Sequence, residues 1–383
     1  MTDEQLHAHL IGQQGSRRDL NTPVLIVDLD ALTRNIRAMA DFAAAHGLNL
    51  RPHAKTHKSP EIGGRQIEAG AIGLCCAKIG EAEVMADAGI DGLHITSPVV
   101  SPPAMARLAA LNLRCEGLMC VVDDAANVRA LGEAVAAAGD VPLSIIIDID
   151  PGIRRTGVPT PEAAVAVLDA IRAQPSLRYR GVQCYCGLQQ HIAAFAERKA
   201  AMLDRATFVR TVIAALTEAG GPPEIVTGGG TGTHRIDAGL DLFTELQVGS
   251  YVFMDSQYLA CDLTGEDETA GPPFETSLMI DARVVSATGP AMVTLDAGFK
   301  AFATDADPPL ILRGAPPEAK FFFMGDEHGA VFSMAGALPG LSDMVTLAAP
   351  HCDPTVNLYD TYHVVQGDTL RALWPVAARG RSR

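Results

Sequence analysis

The chain has no apolar run approaching the ~20 residues that span a bilayer, and its opening, MTDEQLHAHL, has neither the basic nor the apolar region of a signal peptide. Both absences point to the cytoplasm and to no membrane partner. Positive charge is also short. Lys and Arg number 30 against 45 Asp and Glu, a net charge of −15. The basic residues are scattered without a patch, so a nucleic-acid backbone is repelled and no nucleic-acid partner is expected. The eight cysteines form no CxxC. Cys75-Cys76 and Cys184-x-Cys186 have the spacing of small core residues rather than of a zinc knuckle or redox motif. No GxGxxG follows the first strand and no GK[ST] follows a glycine run, which sets aside the dinucleotide fingerprint and the Walker loop.

With 383 residues, 48% hydrophobic and 20% charged, the chain is globular and long enough for two domains. Up to about residue 256, short β-branched segments alternate with Ala-rich segments of helical period. The first strand is PVLIVDL (23–29), followed by a helix that Asp30 could cap and that ends at Gly47. Eight more strands are predicted at 48–55, 72–78, 92–97, 115–123, 143–150, 179–186, 224–229 and 245–249. Between the first two of these, Ser59 caps a helix with Pro60 in its first turn. Alternation of this length implies a parallel sheet, and eight repeats over roughly 200 residues predict an α/β fold, a closed (β/α)8 TIM barrel over 30–256. An open doubly wound sheet is the alternative. From 257 the strand-like segments FETSLMIDARVVSA, AMVTLDAG, KFFFMG and DMVTLAAP follow one another without helices. They predict a second, mostly β domain of residues 257–383 together with 1–29.

The active site of such a barrel lies at the C-terminal ends of its strands. Lysine is scarce, six residues by count, so Lys55 at the end of the first barrel strand stands out. In RPHAKTHK, period-2 alternation puts Arg51, His53 and Lys55 on one inward face. Partial desolvation there favours a free amine fit for Schiff-base chemistry. A lysine reaching the barrel mouth to pair with an acid suits the segment equally well. Lys78 ends the second strand in the same way, and Lys58 falls on the following loop. TGGGTG (227–232) follows the seventh strand and Gly249-Ser250 the eighth, the loops where these barrels commonly bind phosphate. Consecutive glycine N–H groups can cradle an anion; a flexible turn is the alternative. A phosphate site beside a strand-end lysine suggests pyridoxal phosphate. In PHCDPT (350–355), an extended chain points His351 and Asp353 the same way, a partial N/O shell suited to Mn²⁺ or Mg²⁺. A capped turn before Pro354 fits that segment as well. DEHG (326–329) is a second acidic–histidine cluster without an assigned role.

RPHAKTHK, TGGGTG, ELQVGSYVFMDS (245–256), DEHG, HCDPT and the closing ARG (378–380) together resemble the D-threonine aldolase family. These are fold-type III pyridoxal-phosphate enzymes, similar in architecture to alanine racemase and related to D-serine dehydratases and β-hydroxyaspartate aldolases. The resemblance runs from about residue 20 to the end. It implies a barrel plus a β domain that strand 23–29 joins, and a homodimer with active sites near the subunit interface. It implies Lys55 as the cofactor lysine, Arg155 facing the pyridine nitrogen and Tyr185 near the ring. Thr231, flanked by Gly230 and Gly232, would contact the phosphate with Gly249 and Ser250. His191 would transfer a proton, and His351 and Asp353 would hold a divalent metal.

The implied activity is retro-aldol cleavage of D-threonine and related β-hydroxy-D-amino acids to glycine and an aldehyde. β-Hydroxyaspartate, which would yield glyoxylate, is a further substrate of the group. Dehydratases of the group carry Cys at the second ligand position, so Asp353 favours the aldolase. A non-catalytic cofactor carrier and a cofactor-free barrel hydrolase are the readings from other classes. Three departures from the family pattern bear on substrate scope. Cys186 stands where His or Gln is common, Ala77 where CCQK has Gln, and Thr233-His234-Arg235 replaces a smaller residue after the glycine loop.

Overall fold

The computed structural model describes residues 1–265 and 271–383 and divides into two units. One comprises Met39–Gly249, the described part of Cys261–Thr269, and Gly380–Arg383; the other comprises Met1–Ala38, Ser250–Ala260 and the described part of Ala270–Arg379. In the second of these, the chain's first strand, β1 (Val24–Asp28), lies among the β elements.

In the first unit, β-branched and apolar segments form eight parallel strands. They are β2 (Asn49–Leu50), β3 (Cys75–Cys76), β4 (His94–Ile95), β5 (Met119–Val122), β6 (Leu143–Asp148), β7 (Leu177–Cys184), β8 (Ile225–Gly228) and β9 (Glu245–Leu246). Seven of them fall inside one of the predicted segments, and β7 overlaps the predicted 179–186 but begins two residues earlier, at Leu177. The ladder runs β2-β9-β8-β7-β6-β5-β4-β3. Its two ends meet: Ile72 N–H donates to Leu50 O at 2.9 Å, Cys75 N–H to Pro52 O at 2.8 Å, and His53 bridges to Cys75 in parallel. The eight-stranded (β/α)8 barrel is therefore closed. Met119, Val121 and Ile146 make a buried cluster with Ile225 packed on it. β5 and β6 read as almost continuous apolar runs, as strands covered on both faces must.

Helices fill the intervals. Pro60–Glu68 follows Ser59 at the N-cap position with Pro in the first turn, as expected, but the Ser59 hydroxyl makes no cap bond and donates to Glu61 Oε2 at 2.8 Å. Asp124 caps Ala125–Ala138 by accepting from the N–H groups of Ala126 and Asn127 at 2.7 and 2.9 Å. One cap differs from expectation. The helix Leu29–Ala45 is capped by Asp28, whose carboxylate accepts from Ala31 N–H at 3.0 Å, rather than by Asp30. Asp30 has already entered the first turn, where a carboxylate still complements the helix dipole.

The other unit is a nine-stranded sheet. Its further strands are β10 (Leu278–Ser286), β11 (Met292–Leu295), β12 (Leu310–Arg313), β13 (Lys320–Phe323), β14 (Gly329–Phe332), β15 (Met344–Ala348), β16 (Thr361–Gln366) and β17 (Thr369–Pro375). The order is β13-β14-β11-β10-β1-β16-β17, with β15 joining β10 to β12. β1 is central, antiparallel to β10 and parallel to β16. Its burial matches that place, with Val24 and Ile26 packed on Leu10, Leu20, Met279, Val365 and Leu370. Arg17 ties the N-terminal segment to β10 through a buried two-point pair with Asp281 at 2.7 and 2.9 Å. Among the described residues no helix is long and apolar enough to cross a membrane.

A second tie of the N-terminal segment is the buried contact between His7 Nδ1 and His363 Nε2, 2.8 Å apart. His7 Nε2 accepts from Asn21 N–H at 3.0 Å, which leaves the ring proton on Nδ1 to be donated to His363. Burial lowers the His363 pKa to about 4. A depressed histidine pKa means that the unfolded chain takes up a proton, below about 6.5, before the folded one does. Its stabilising effect is complete above that pH and is lost as pH falls towards 4. We expect the stability advantage of the wild type over His363→Gln to shrink by at most about 3 kcal/mol between pH 7 and pH 4. Urea unfolding at a series of pH values measures it, and a pH-independent difference would contradict the buried neutral pair.

Candidate active site

The turn after β2 carries Lys55. The strand is shorter than the predicted 48–55, although backbone bonds to the β9 side continue, from Arg51 N–H to Leu246 O (3.0 Å) and from His53 N–H to Val248 O (2.9 Å). Pro52 has no N–H to extend the ladder towards β3. The chain then turns through a 3₁₀ segment, Ala54–Thr56. Lys55 is therefore a half-buried residue of a rim turn and not, as simple alternation had it, the last inward residue of a strand. The other two residues of the predicted face do lie in the barrel. Arg51 is buried, forks onto Glu245 of β9 at 3.0 and 3.2 Å, and also donates to Gly92 O. His53 Nδ1 accepts from Lys55 N–H at 3.3 Å, so its ring proton sits on Nε2, 3.1 Å from Thr96 Oγ1.

A polar network continues across the interior. Gln183 on β7 donates to Asp148 Oδ1 (2.9 Å) and to Thr96 O (3.3 Å), and accepts from His94 Nε2 (2.9 Å) and Gln247 Nε2 (3.0 Å). Thr156 supplies a second donor to Asp148 at 2.7 Å. Burial raises the Asp148 pKa to about 6 against the pull of those hydrogen bonds, and burial lowers His94 to about 4. At neutral pH the network is thus an array of fixed dipoles around one buried carboxylate.

The loop after β8 is built for close approach. A Cβ on Gly230 would lie 2.4 Å from Gln190 Oε1, and one on Gly232 would lie 2.0 Å from Gln190 O. Gly232 N–H donates to Gln190 Oε1 at 3.0 Å. The glycines therefore serve first to seat the Gln190 segment, a partner that sequence reasoning missed. Two buried hydroxyls beside this rim lack a hydrogen-bond partner among the described residues. They are Thr231 Oγ1, in the loop, and Thr56 Oγ1, next to Lys55. Gly249 lies against the second, since a Cβ there would come within 2.7 Å of Thr56 Oγ1. Buried donors are rarely left unmatched, and two of them at a glycine-rich rim suit a polyoxygen group such as phosphate. Thr56 was legible only as a neighbour of Lys55.

The structure also brings Arg155 and Tyr185 together. The guanidinium carbon of Arg155 lies 5.6 Å from the centre of the Tyr185 ring, within cation–π range. Tyr185 directly follows β7, is half-buried, and is flanked by buried Cys184 and Cys186. His191 is exposed, in the turn between the 3₁₀ segment Gly187–Gln189 and the helix Phe195–Glu218.

In the other unit, Ser250 opens the 3₁₀ turn Ser250–Val252, its carbonyl accepting from Phe253 and Met254. The 351–353 segment is not extended. His351 is the N-cap of the helix Cys352–Val356, so Asp353 sits in a helical first turn. His351 and Asp353 therefore do not lie on one extended face. Pro354 falls within the helix, whose Cys352 N–H donates to Asp255 Oδ2 at 2.9 Å, and the His351 side chain makes no cap bond. His351 has a partner that was not expected, Asp305, whose carboxylate lies 2.7 Å from Nδ1. An Nδ1–H held by a carboxylate leaves Nε2 as a free lone pair, the usual preparation of a metal-binding histidine. No sequence signal connects Asp305 to His351, 46 residues and four β-strands further along the chain. Lys58 lies on the loop, as expected, but is buried there and ion-paired with Glu81 at 2.6 Å, whereas Lys78 is exposed. Asp326, Glu327 and His328 of DEHG are exposed in the turn between β13 and β14, where Glu327 pairs with Lys300, and the buried Gly329 opens β14. Asp3, His7 and His363 also converge closely enough for a metal. The tautomer imposed by Asn21 N–H, however, commits the facing nitrogens of the two histidines to each other.

Comparison with known proteins agrees with this geometry. Residues 27–257 match the family "Alanine racemase, N-terminal domain", and residues 277–365 match a serine dehydratase domain. The chain is 38% identical to 3-hydroxy-D-aspartate aldolase of Paracoccus denitrificans (strain Pd 1222), over 95% of this chain and 93% of that protein. It is 37% identical to D-threonine aldolase of Arthrobacter sp., over 95% and 94% respectively. The solved structure of D-threonine aldolase from Filomicrobium marinum superposes with a TM-score of 0.91 at 38% identity, covering 96% of this chain and 97% of that one. D-threo-3-hydroxyaspartate dehydratase from Delftia sp. HT23 shares the fold, with a TM-score of 0.82 at 24% identity and coverage of 94% and 98%.

The glycine loop yields a test. Gly232→Ala would force a Cβ onto Gln190 O, so the loop must move. If the loop holds a phosphate, affinity for pyridoxal phosphate should fall by roughly tenfold or more, equivalent to about 1.4 kcal/mol. Fluorescence titration of cofactor-free protein reads this directly; unchanged affinity would remove the loop from the site.

Proposed function

The chain belongs to the alanine racemase-like family of D-threonine and 3-hydroxy-D-aspartate aldolases, and on that membership we propose the reaction it carries out. It is a lyase that cleaves β-hydroxy-D-amino acids, D-threonine among them, to glycine and an aldehyde with pyridoxal phosphate and a divalent metal. The observation that carries this reading is similarity to two aldolases over 95% of the chain, with a lysine at the rim where the barrel unit also leaves two buried hydroxyls unmatched.

Bound pyridoxal phosphate supplies a carbonyl that condenses with amines and a ring that takes up the electron pair left at Cα. Lys55 would hold it covalently. Thr231, Thr56 and the backbone around Gly230, Gly232 and Gly249 would hold its phosphate, with Ser250 as a further contact. Arg155, whose guanidinium lies beside the Tyr185 ring, would bring a cation to the pyridine nitrogen and so would hold it unprotonated. His191 would take the proton of the substrate β-hydroxyl as the Cα–Cβ bond opens. His351 Nε2 and Asp353 would hold the metal, with Asp305 fixing the His351 tautomer; the donor set is nitrogen and oxygen without thiolate, suited to Mn²⁺ or Mg²⁺. A homodimer in the cytoplasm belongs to the same reading.

The protein should release glycine and acetaldehyde from D-threonine, leave L-threonine untouched, and lose activity to a chelator with recovery on adding Mn²⁺. Coupled assay of acetaldehyde against ammonia decides the reaction type: ammonia and an oxo-acid in place of glycine would make it a dehydratase. The Asp305–His351 pair predicts more. Asp305→Asn should weaken activation by the metal by about 10–100-fold, read as the Mn²⁺ concentration for half-maximal rate. An unshifted Mn²⁺ dependence would separate His351 from the metal.

A further inference from the structure

Three residues after Lys55, Lys58 combines several unfavourable features. It is a non-glycine residue with φ of +51°, in the left-handed region that side chains other than those of Gly, Asn and Asp rarely adopt. Its side chain is 7% exposed and that of its partner Glu81 is 3% exposed, with Nζ and Oε1 2.6 Å apart. A buried ion pair recovers little beyond the desolvation it requires, and an apolar pair of similar volume commonly packs as stably. A fold that needed only a turn here would be served by glycine at 58. Costs gathered at one residue beside a reactive group indicate a positioning role.

What the pair connects gives the role. Lys58 N–H donates to Ala54 O at 2.7 Å and closes the turn 54–58 around Lys55. On the far side, the second oxygen of Glu81 accepts from Ala77 N–H at 2.7 Å and from Lys78 N–H at 3.3 Å, holding the loop that leaves β3. One buried carboxylate thus links two neighbouring rim loops, one through an ammonium and the other through two backbone amides. His57 adds stiffness on the Lys55 side, accepting from Ser59 N–H at 3.1 Å through Nδ1 and facing Gln66 Oε1 at 3.2 Å through Nε2.

We propose that the buried Lys58–Glu81 pair is a brace that fixes the Lys55 turn against the loop after β3, so that Lys58 and Glu81 are positioning residues for the reactive amine. The proposal rests on Lys55 being the cofactor lysine. Both residues act through the backbone of these turns and neither takes part in the bond changes.

The test uses the complete enzyme. Borohydride reduction and peptide mapping of the wild type come first, and an adduct on any lysine other than Lys55 overturns the cofactor reading and the brace with it. With the adduct on Lys55, three variants are compared: Lys58→Met, Glu81→Gln, and the double variant Lys58→Gln/Glu81→Gln, which leaves no lone buried charge. Loosening the amine should lower kcat for D-threonine by about tenfold or more while KM changes little. It should also weaken the visible absorption of the bound cofactor, a signature that a purely structural pair would leave alone. If the single variants do not fold, the double variant decides. A folded double variant with wild-type kcat and wild-type visible spectrum would overturn the brace.

Discussion

A few backbone hydrogen bonds around residues 50–53 hold the barrel shut. On one side Arg51 and His53 donate to β9; on the other, the carbonyls of Leu50 and Pro52 receive amides from the loop entering β3. Because β2 is only two residues long, the chain reaches the rim almost at once, and Pro52 prevents the ladder towards β3 from following it. The 3₁₀ turn that results leaves Lys55 half-buried in a rim turn rather than inside a strand. The other site features of this unit, the loop after β8, Tyr185 after β7 and the loop after β3, are rim features of the same closed ring.

Within the ring, polar groups are distributed with little slack. The Arg51–Glu245 fork and the Gln183 network occupy positions where a smaller barrel core would carry Val or Ile, and each donor named there has an acceptor. Thr56 Oγ1 and Thr231 Oγ1 are two of several buried polar atoms without a partner among the described residues, His94 Nδ1 being another, and they are the hydroxyls that lie at the glycine-rich rim. The same reasoning separates two histidine clusters in the other unit. His7 and His363 commit their facing nitrogens to each other in a buried pair, whereas His351, oriented by Asp305, keeps one nitrogen for something else.

Much of this was legible in the chain. The eight parallel strands, the start of the helix at Pro60 and the helix-poor second half follow from periodicity and turn residues, which are local properties. The misjudged details also share a cause. Alternation carried Lys55 into a strand and laid His351 and Asp353 on one extended face, because period-2 reasoning does not see where a proline or a capping residue ends the extended run. Asp28 caps the first long helix in place of Asp30 through a shift of two residues, within the ordinary uncertainty of helix ends. The glycine loop also seats Gln190, a contact that residue type and spacing do not reveal.

By itself the sequence determined which segments become strands and helices, and it marked Lys55, the glycine-rich loop and the His351–Asp353 segment as chemistry-bearing, because these rest on residue type and short-range spacing. Only the tertiary structure decided the partners: Asp305 for His351, Gln190 for Gly232, and Glu81 for Lys58. Those pairs are 46, 42 and 23 residues apart. The physical reason is that a hydrogen bond or ion pair depends on where chain closure brings two side chains, and that closure is a property of the whole ring of strands rather than of any one stretch of it.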